Sequence, residues 1–314
     1  MPVLDHKASG VFPIAATPFL PDGQIDVASV DRMTDFYLES GATGLTILGI
    51  MGEAPKLDQE ESLALVRQVV RRASAIPVIV GVSAPGFAAM SWLAKSAMQA
   101  GAAGVMIAPP SNLRTDDQIV GYYAQAVKAI GADIPFVVQD YPLLLSVVMT
   151  PGVIRRIVTD NPSCVMLKHE DWPGLEKIST LRQFQAEGSL RPISILCGNG
   201  GLFIDFETER GADGAMTGYA FPDMLSQLVG LAKAGKRDEA HDLFDAHLPL
   251  LRYEQQQGLG LAVRKYLLMR RGAIAHDVQR APGAGLTPKA RAEVDYLLAR
   301  LARRDRRAQA ALGS

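Results

Sequence analysis

The feature that most constrains this chain is an eightfold alternation. From Val11 to Gly235, short β-branched and apolar runs take turns with amphipathic stretches of helical period. The runs fall at residues 11–19, 44–49, 77–83, 104–110, 135–142, 164–171, 194–200 and 214–220. A spacing of roughly 30 residues suits a strand–helix–strand crossover, which makes neighbouring strands parallel and gives the connections one hand. Eight such units predict an α/β fold, a (β/α)8 TIM barrel. The open doubly wound sheet is the other arrangement of such units, but no Gly-x-Gly-x-x-Gly follows the first run, where a dinucleotide-binding sheet needs it.

Local signals support the alternation. Asp58 with Glu61 and Thr115 with Gln118 read as capping boxes, and Thr150-Pro151 places proline at a first helical position. Beyond the eighth unit, residues 236–256, 260–271 and 288–303 read as three more helices, with Leu243, Leu250 and Leu251 on one stripe. No Gly-, Ser- or Pro-rich linker separates them from the barrel. The expectation is one domain over 1–314: a barrel at 10–235, C-terminal helices at 236–304 and a flexible tail at 305–314. The Arg-rich stretch Arg303–Arg307 is read as a solvated end.

Composition excludes several classes of function. A net charge of -1 offers nucleic acid no extended basic surface. No apolar run approaches the roughly 18 residues of a membrane span, and Met1–Gly10 has no apolar leader, so a cytoplasmic protein is expected. The two cysteines, Cys164 and Cys197, both lie in strand-like runs and are read as buried. Neither Cys-x-x-Cys nor His-x-x-x-His spacing occurs, so no metal and no other cofactor is expected.

In a barrel of this kind the working groups sit at the C-terminal ends of the strands. That rule selects Gly49-Ile50-Met51-Gly52-Glu53, Gln139-Asp140-Tyr141-Pro142, Lys168-His169-Glu170-Asp171, Gly198-Asn199-Gly200 and Thr217-Gly218. Lys168 stands out because it ends an apolar strand, where desolvation favours the neutral, nucleophilic amine. Such an amine can form an imine with a ketone. It can equally be a structural lysine paired with Glu170, and position alone does not separate the two. Alternation puts Met166, Lys168 and Glu170 on one face, with Leu167 and His169 on the other. Gly49–Gly52 can turn tightly and present backbone N–H groups to a carboxylate.

These residues resemble the dihydrodipicolinate synthase / N-acetylneuraminate lyase superfamily: Gly49-Ile50-Met51-Gly52-Glu53, the strand-end Lys168 and the proline-ended Gln139-Asp140-Tyr141-Pro142. The similarity runs collinearly from about Gly10 to the C-terminal helices. It implies that Lys168 forms a Schiff base with pyruvate or another 2-keto acid. Three further stretches look like the L-2-keto-3-deoxyarabonate dehydratases. They are Val138-Gln139-Asp140, the segment from Gly211 to Gly218 with Phe221-Pro222-Asp223, and Leu248-Pro249-Leu250 with Gly260 and Lys265. Lys168-His169-Glu170 fits the Lys-x-Glu pattern of those enzymes.

The departures are equally informative. Gln139 stands where synthases and aldolases of this superfamily usually carry tyrosine, and Ile50-Met51 where they carry a threonine pair. Another tyrosine is expected after Pro109, where Pro110-Ser111 stands. Glutamine orients a carboxylate or water but relays no proton as a phenol does. The arginine that grips a second carboxyl group falls near Leu144, in the apolar stretch Leu143–Met149. The resemblance therefore implies dehydration of a 2-keto-3-deoxy sugar acid. Lys168, Gln139 and Glu170 would be catalytic, with Ile50, Met51, Gly198, Asn199 and Thr217 binding substrate. A pyruvate-dependent aldolase or hydratase-aldolase and a non-catalytic 2-oxo-acid-binding barrel are the alternatives. The expected partners are a small 2-oxo acid and further copies of the chain, as a tetramer or dimer.

Overall fold

The computed structural model describes residues 3–312. Its framework is a sheet of eight parallel strands: β1 (Gly10–Val11), β2 (Leu45–Ile47), β3 (Val78–Gly81), β4 (Gly104–Ile107), β5 (Phe136–Asp140), β6 (Cys164–His169), β7 (Ser194–Cys197) and β8 (Gly214–Ala215). Their order is β1-β8-β7-β6-β5-β4-β3-β2. β1 and β2 thus stand at the two ends of the list. Backbone bonds from Thr43 N to Val11 O, Thr46 N to Pro13 O and Ala15 N to Thr46 O bring those ends together. The result is a TIM-barrel-like α/β fold with helices outside and, among the described residues, five helices after the last strand.

The strands are shorter than the apolar runs. The first run was expected to hold 11–19 as a strand, but Pro13 and Pro18 have no N–H to donate, and past Val11 the run makes the isolated bridges Ile14–Thr46 and Phe19–Ile25. Elsewhere the excess lies at the C-terminal ends, where the chain leaves the ladder to form the loops above the sheet. Both capping boxes are present, Asp58 with Glu61 and Thr115 with Gln118. The side chain of Thr150 likewise caps the helix Pro151–Asp160.

Two apolar layers follow from the alternation of each strand. Phe12, Ile79, Met106, Val137, Met166 and Leu196 fill the interior of the sheet. Val80, Val105, Val138, Leu167 and Ile195 face the helices. Lys168 continues the inner row begun by Met166, so it rises from the packed interior into the space above it. Both cysteines are free and buried. No helix among the described residues is long and apolar enough to cross a membrane.

The stretch expected as a flexible tail carries regular structure over part of its described residues. Arg306–Ala310 forms a short helix, capped by the side chain of Asp305, with Ala308 and Ala311 fully buried. The chain is held there because Asp305 Oδ2 bonds Nε2 of the buried His247 at 2.9 Å, while His247 Nδ1 meets the Tyr219 hydroxyl at 2.8 Å. Arg307 reaches Asp305 and Asp223, so this part of the basic stretch is paired and not merely solvated. Burial by itself raises the Asp305 carboxyl, but bonds from His247 and the Arg307 amide, with the Arg307 charge, outweigh it and hold the group well below the ordinary carboxylate range.

A carboxyl depressed on folding adds stability above its unfolded value and loses it as pH falls toward the folded value. Asp305→Ala should therefore lower unfolding stability at neutral pH by about 1–3 kcal/mol, as expected for a buried bonded polar group. Urea denaturation should show the gap from wild type narrowing below pH about 4. An unchanged denaturation midpoint at neutral pH would mean that the terminal helix is not held through this contact.

Candidate active site

The register of the sheet sets the site. Gln139 on β5 lies beside Lys168 on β6, and Lys168 lies beside Leu196 on β7. Lys168 Nζ sits 2.8 Å from Glu170 Oε1, with both side chains almost fully buried. Gln139 Nε2 donates to the same oxygen at 2.7 Å. The Asn199 backbone N–H approaches Glu170 Oε2 at 3.3 Å, and its side-chain amide donates to the Glu170 carbonyl at 2.8 Å. One carboxylate thus gathers a lysine, a glutamine and a loop amide. The arrangement orients Lys168 and supplies a proton acceptor in contact with it.

These groups open into a cavity of about 70 Å³ above the inner layer. Seven of the eight sequence-selected site residues line it: Lys168, Gln139, Glu170, Ile50, Met51, Asn199 and Thr217. Gly198 is not on the wall; it packs beneath the Glu170 carboxylate. A Cβ there would lie 2.5 Å from Glu170 Oε2, so only glycine lets β7 approach this closely.

The loop after β2 is held in an unusual conformation. Leu48 and Glu53, which bracket it, have φ of 54° and 52°. Its internal bonds run from Gly52 N to Gly49 O and from Glu53 N to Ile50 O. Among the described residues the Ile50 and Met51 amides have no backbone acceptor, as an anion cradle requires. Thr17 Oγ1 clamps the loop from below by donating to Gly52 O at 2.6 Å.

The cavity wall also holds Tyr141, Gly200 and Gly218, which the sequence offers only within strand-end stretches, and Ile14, Gln255 and Arg264, which it does not single out. Tyr141 lines the cavity two positions beyond Gln139, so a phenol is present although the expected position lacks one. Burial and the neighbouring Glu170 raise its pKa, which keeps the hydroxyl protonated as a donor. Gln255 and Arg264 come from the C-terminal helices. The clue available in the sequence was the buried-looking Glu254 four positions after Leu250, which needs a cation. Arg264 Nε supplies it at 2.5 Å. Glu254 is fully buried, and burial pushes its carboxyl up to about 7 against the pull of Arg264.

A second, larger hollow of about 410 Å³ adjoins the first. Ile50 and Gln139 belong to both, and Leu48, Ala84, Pro85, Met106 and Leu145 make the larger one mostly apolar. Leu143, Leu144 and Val148 beside it are exposed, whereas Val147 and Met149 are buried. Among the described residues no group of three or more His, Cys, Asp and Glu is placed to hold a metal ion.

The profile of the dihydrodipicolinate synthetase family matches residues 7–301. The chain is 31% identical over 297 residues to an L-2-keto-3-deoxyarabonate dehydratase of Azospirillum brasilense, across 93% of this chain and 94% of that protein. It is 28% identical over 284 residues to a 4-hydroxy-tetrahydrodipicolinate synthase of Chlorobium luteolum, across 89% and 92%. A crystal structure of a dihydrodipicolinate synthase from Rhodopseudomonas palustris matches with a TM-score of 0.95 and 67% identity, over 96% of this chain and 100% of that one.

Behind the site, on the helix side of the sheet, lies a second charged cluster. Lys177 Nζ bonds Asp140 Oδ2 at 2.7 Å and pairs with Asp171 Oδ2 at 2.5 Å. Burial pushes Asp140 up to about 7 against the effect of Lys177. His169 points into this outer layer, as alternation requires, and burial with the Lys177 charge pushes it down to about 4, so its ring is neutral at physiological pH. The cluster ties β5 and β6 to the loop that follows Glu170. Removing one partner of a buried pair costs about 3–5 kcal/mol. Lys177→Met should show a loss of that size in urea denaturation, and Lys177→Met with Asp140→Asn should recover most of it. Equal stability of the single and double variants would show that Asp140 is not held by this charge.

Proposed function

The chain belongs to the dihydrodipicolinate synthetase family, and on that premise we propose that it is a Schiff-base-forming carbon–oxygen lyase acting on a 2-keto-3-deoxy acid. The reading gives it the kind of activity named for its Azospirillum brasilense relative. The observation that carries it is the Lys168–Glu170–Gln139 contact, in which an amide and not a phenol shares the carboxylate with the lysine.

In this reading Lys168 attacks the C2 carbonyl, and the carbinolamine loses water to give a protonated imine. The imine draws electrons from C3, whose proton passes to Glu170 and leaves an enamine. The enamine expels the C4 hydroxyl, which takes the proton from Glu170 and departs as water. Hydrolysis of the conjugated imine frees Lys168. Gln139 holds Glu170 in reach of both carbons, while Asn199 and Thr217 hold the hydroxylated end. The electron sink is the imine itself, so the reading requires no metal or cofactor.

Synthase activity, as in the name of the Rhodopseudomonas palustris structure, is less well supported. The position expected to grip a second carboxyl group falls near the exposed, apolar Leu144. A second reading, an aldolase releasing pyruvate and an apolar aldehyde, is favoured by the apolar hollow beside the lysine. Product analysis separates the two: one dehydrated oxo acid, or pyruvate with an aldehyde. The reading also retains a homo-oligomer, for which exposed Leu143, Leu144 and Val148 offer an apolar surface.

Pyruvate with borohydride should add one label, on Lys168, and Lys168→Ala should abolish it by intact mass. Label elsewhere, or none with any keto acid, would sink the imine. Glu170→Gln should still be labelled while turnover of a 2-keto-3-deoxy acid falls about 10²–10⁴-fold, the usual contribution of a general acid–base group. Near-normal turnover of that variant would demote Glu170 to a charge partner of the lysine.

A further inference from the structure

Cations outnumber carboxylates around the small cavity, Lys168 and Arg264 against Glu170. Glu170 is its one carboxylate, and its oxygens already receive Lys168, Gln139 and the Asn199 amide. Opposite stands Arg264, whose side chain is 12% exposed. Its Nε is spent on Glu254, but its terminal nitrogens have no oxygen acceptor among the described residues; one lies only against the Met51 thioether. Gln255 Nε2, on the same wall, is buried with no hydrogen-bond partner among the described residues. The unbonded amides of Ile50 and Met51 belong to the same side of the cavity. A guanidinium with one edge held by a carboxylate and the other facing a cavity is preorganised for a planar anion.

We infer that Arg264, aided by Gln255, binds the C1 carboxylate of the 2-oxo acid whose C2 carbonyl meets Lys168. This makes the C-terminal helices part of the substrate site, with Glu254 as the residue that positions Arg264. The inference rests on the imine reading for the orientation of the substrate. Size agrees with it: the cavity of about 70 Å³ suits the short oxo-acid head, and the hollow past Ile50 and Gln139 receives the rest of the chain. The inference also accounts for Ile50-Met51 in place of two hydroxyl side chains. The hydroxyl donors lost from that loop are replaced by a cation from a helix more than two hundred residues away, the Arg264–Met51 separation being 213.

The test is calorimetric titration of pyruvate into wild type, Arg264→Lys, Gln255→Leu and the double variant Arg264→Met with Glu254→Gln. The double variant removes the carboxylate that Arg264→Met alone would strand, and thermal melting checks that each protein is folded. The dissociation constant should rise roughly 10–100-fold in the double variant and by a smaller factor in Arg264→Lys, which keeps the charge but loses the fork. Gln255→Leu should weaken binding by roughly 2–10-fold, the worth of a neutral hydrogen bond. Binding of uncharged methyl pyruvate should not change. Folded double variant binding pyruvate as tightly as wild type, or losing methyl pyruvate equally, overturns the inference. Borohydride labelling of wild type with pyruvate reports separately on the imine, so loss of label with calorimetric discrimination intact overturns only the reading on which the orientation rests.

Discussion

The buried pair of Glu53 and Lys265 is the contact on which the site depends. Lys265 is fully buried and bonds Glu53 Oε1 at 2.5 Å, while Glu53 Oε2 accepts from Lys56 and from the Arg280 backbone. Burial lowers the pKa of Lys265 and the Glu53 charge opposes that shift. Two ions out of water stabilise little in themselves, since desolvation offsets most of their attraction. Their effect is geometric. They fix the loop after β2, with its two left-handed residues, against the helix Gly260–Arg270, and that helix carries Arg264. The carboxylate cradle and the guanidinium facing it are therefore set by one contact between the second strand and the end of the chain.

Much of the frame was legible because it rests on short-range periodicity. Period two placed Met166, Lys168 and Glu170 on the inner face, and the contact between Lys168 and Glu170 is its direct result. The capping boxes at Asp58 and Thr115 were equally local. What escaped depends on distant contacts. Arg264 lies on one C-terminal helix and Gln255 just past the end of another, and no local pattern specifies how those helices dock. The terminal residues read as a solvated tail because their charges were visible in the sequence, while the partners of those charges, Asp223 and His247, were not. Pro13 and Pro18 cut the first strand short by a rule that was available but set aside in favour of apolarity.

Burial places several acids away from their usual titration range. Asp140 and Glu254 are pushed up to about 7 and Glu207 to about 8, in each case chiefly by desolvation. The three flank the strand ends from the outside, where β5, β7 and the C-terminal helices meet the loops. Their protons are bound more tightly in the folded chain than in the unfolded one, so their contribution to stability is fully present below the unfolded carboxylate value of about 4 and is lost progressively as pH rises through about 7–8. These three acids stand around the site, while Glu170 is the carboxylate in contact with the lysine.

The two hollows are built from different materials. The lysine, its carboxylate and its glutamine stand on adjacent strands that pack from both sides, and Gly198 leaves no slack beneath them. The larger hollow is walled in part by residues beyond the strand ends, such as Ala84, Pro85 and Leu145, and the lysine does not line it. Substitutions there can reshape the volume without disturbing the amine. Chemistry and substrate range can consequently drift independently during descent, and two chains with the same strand ends can inherit one reaction while serving different metabolites.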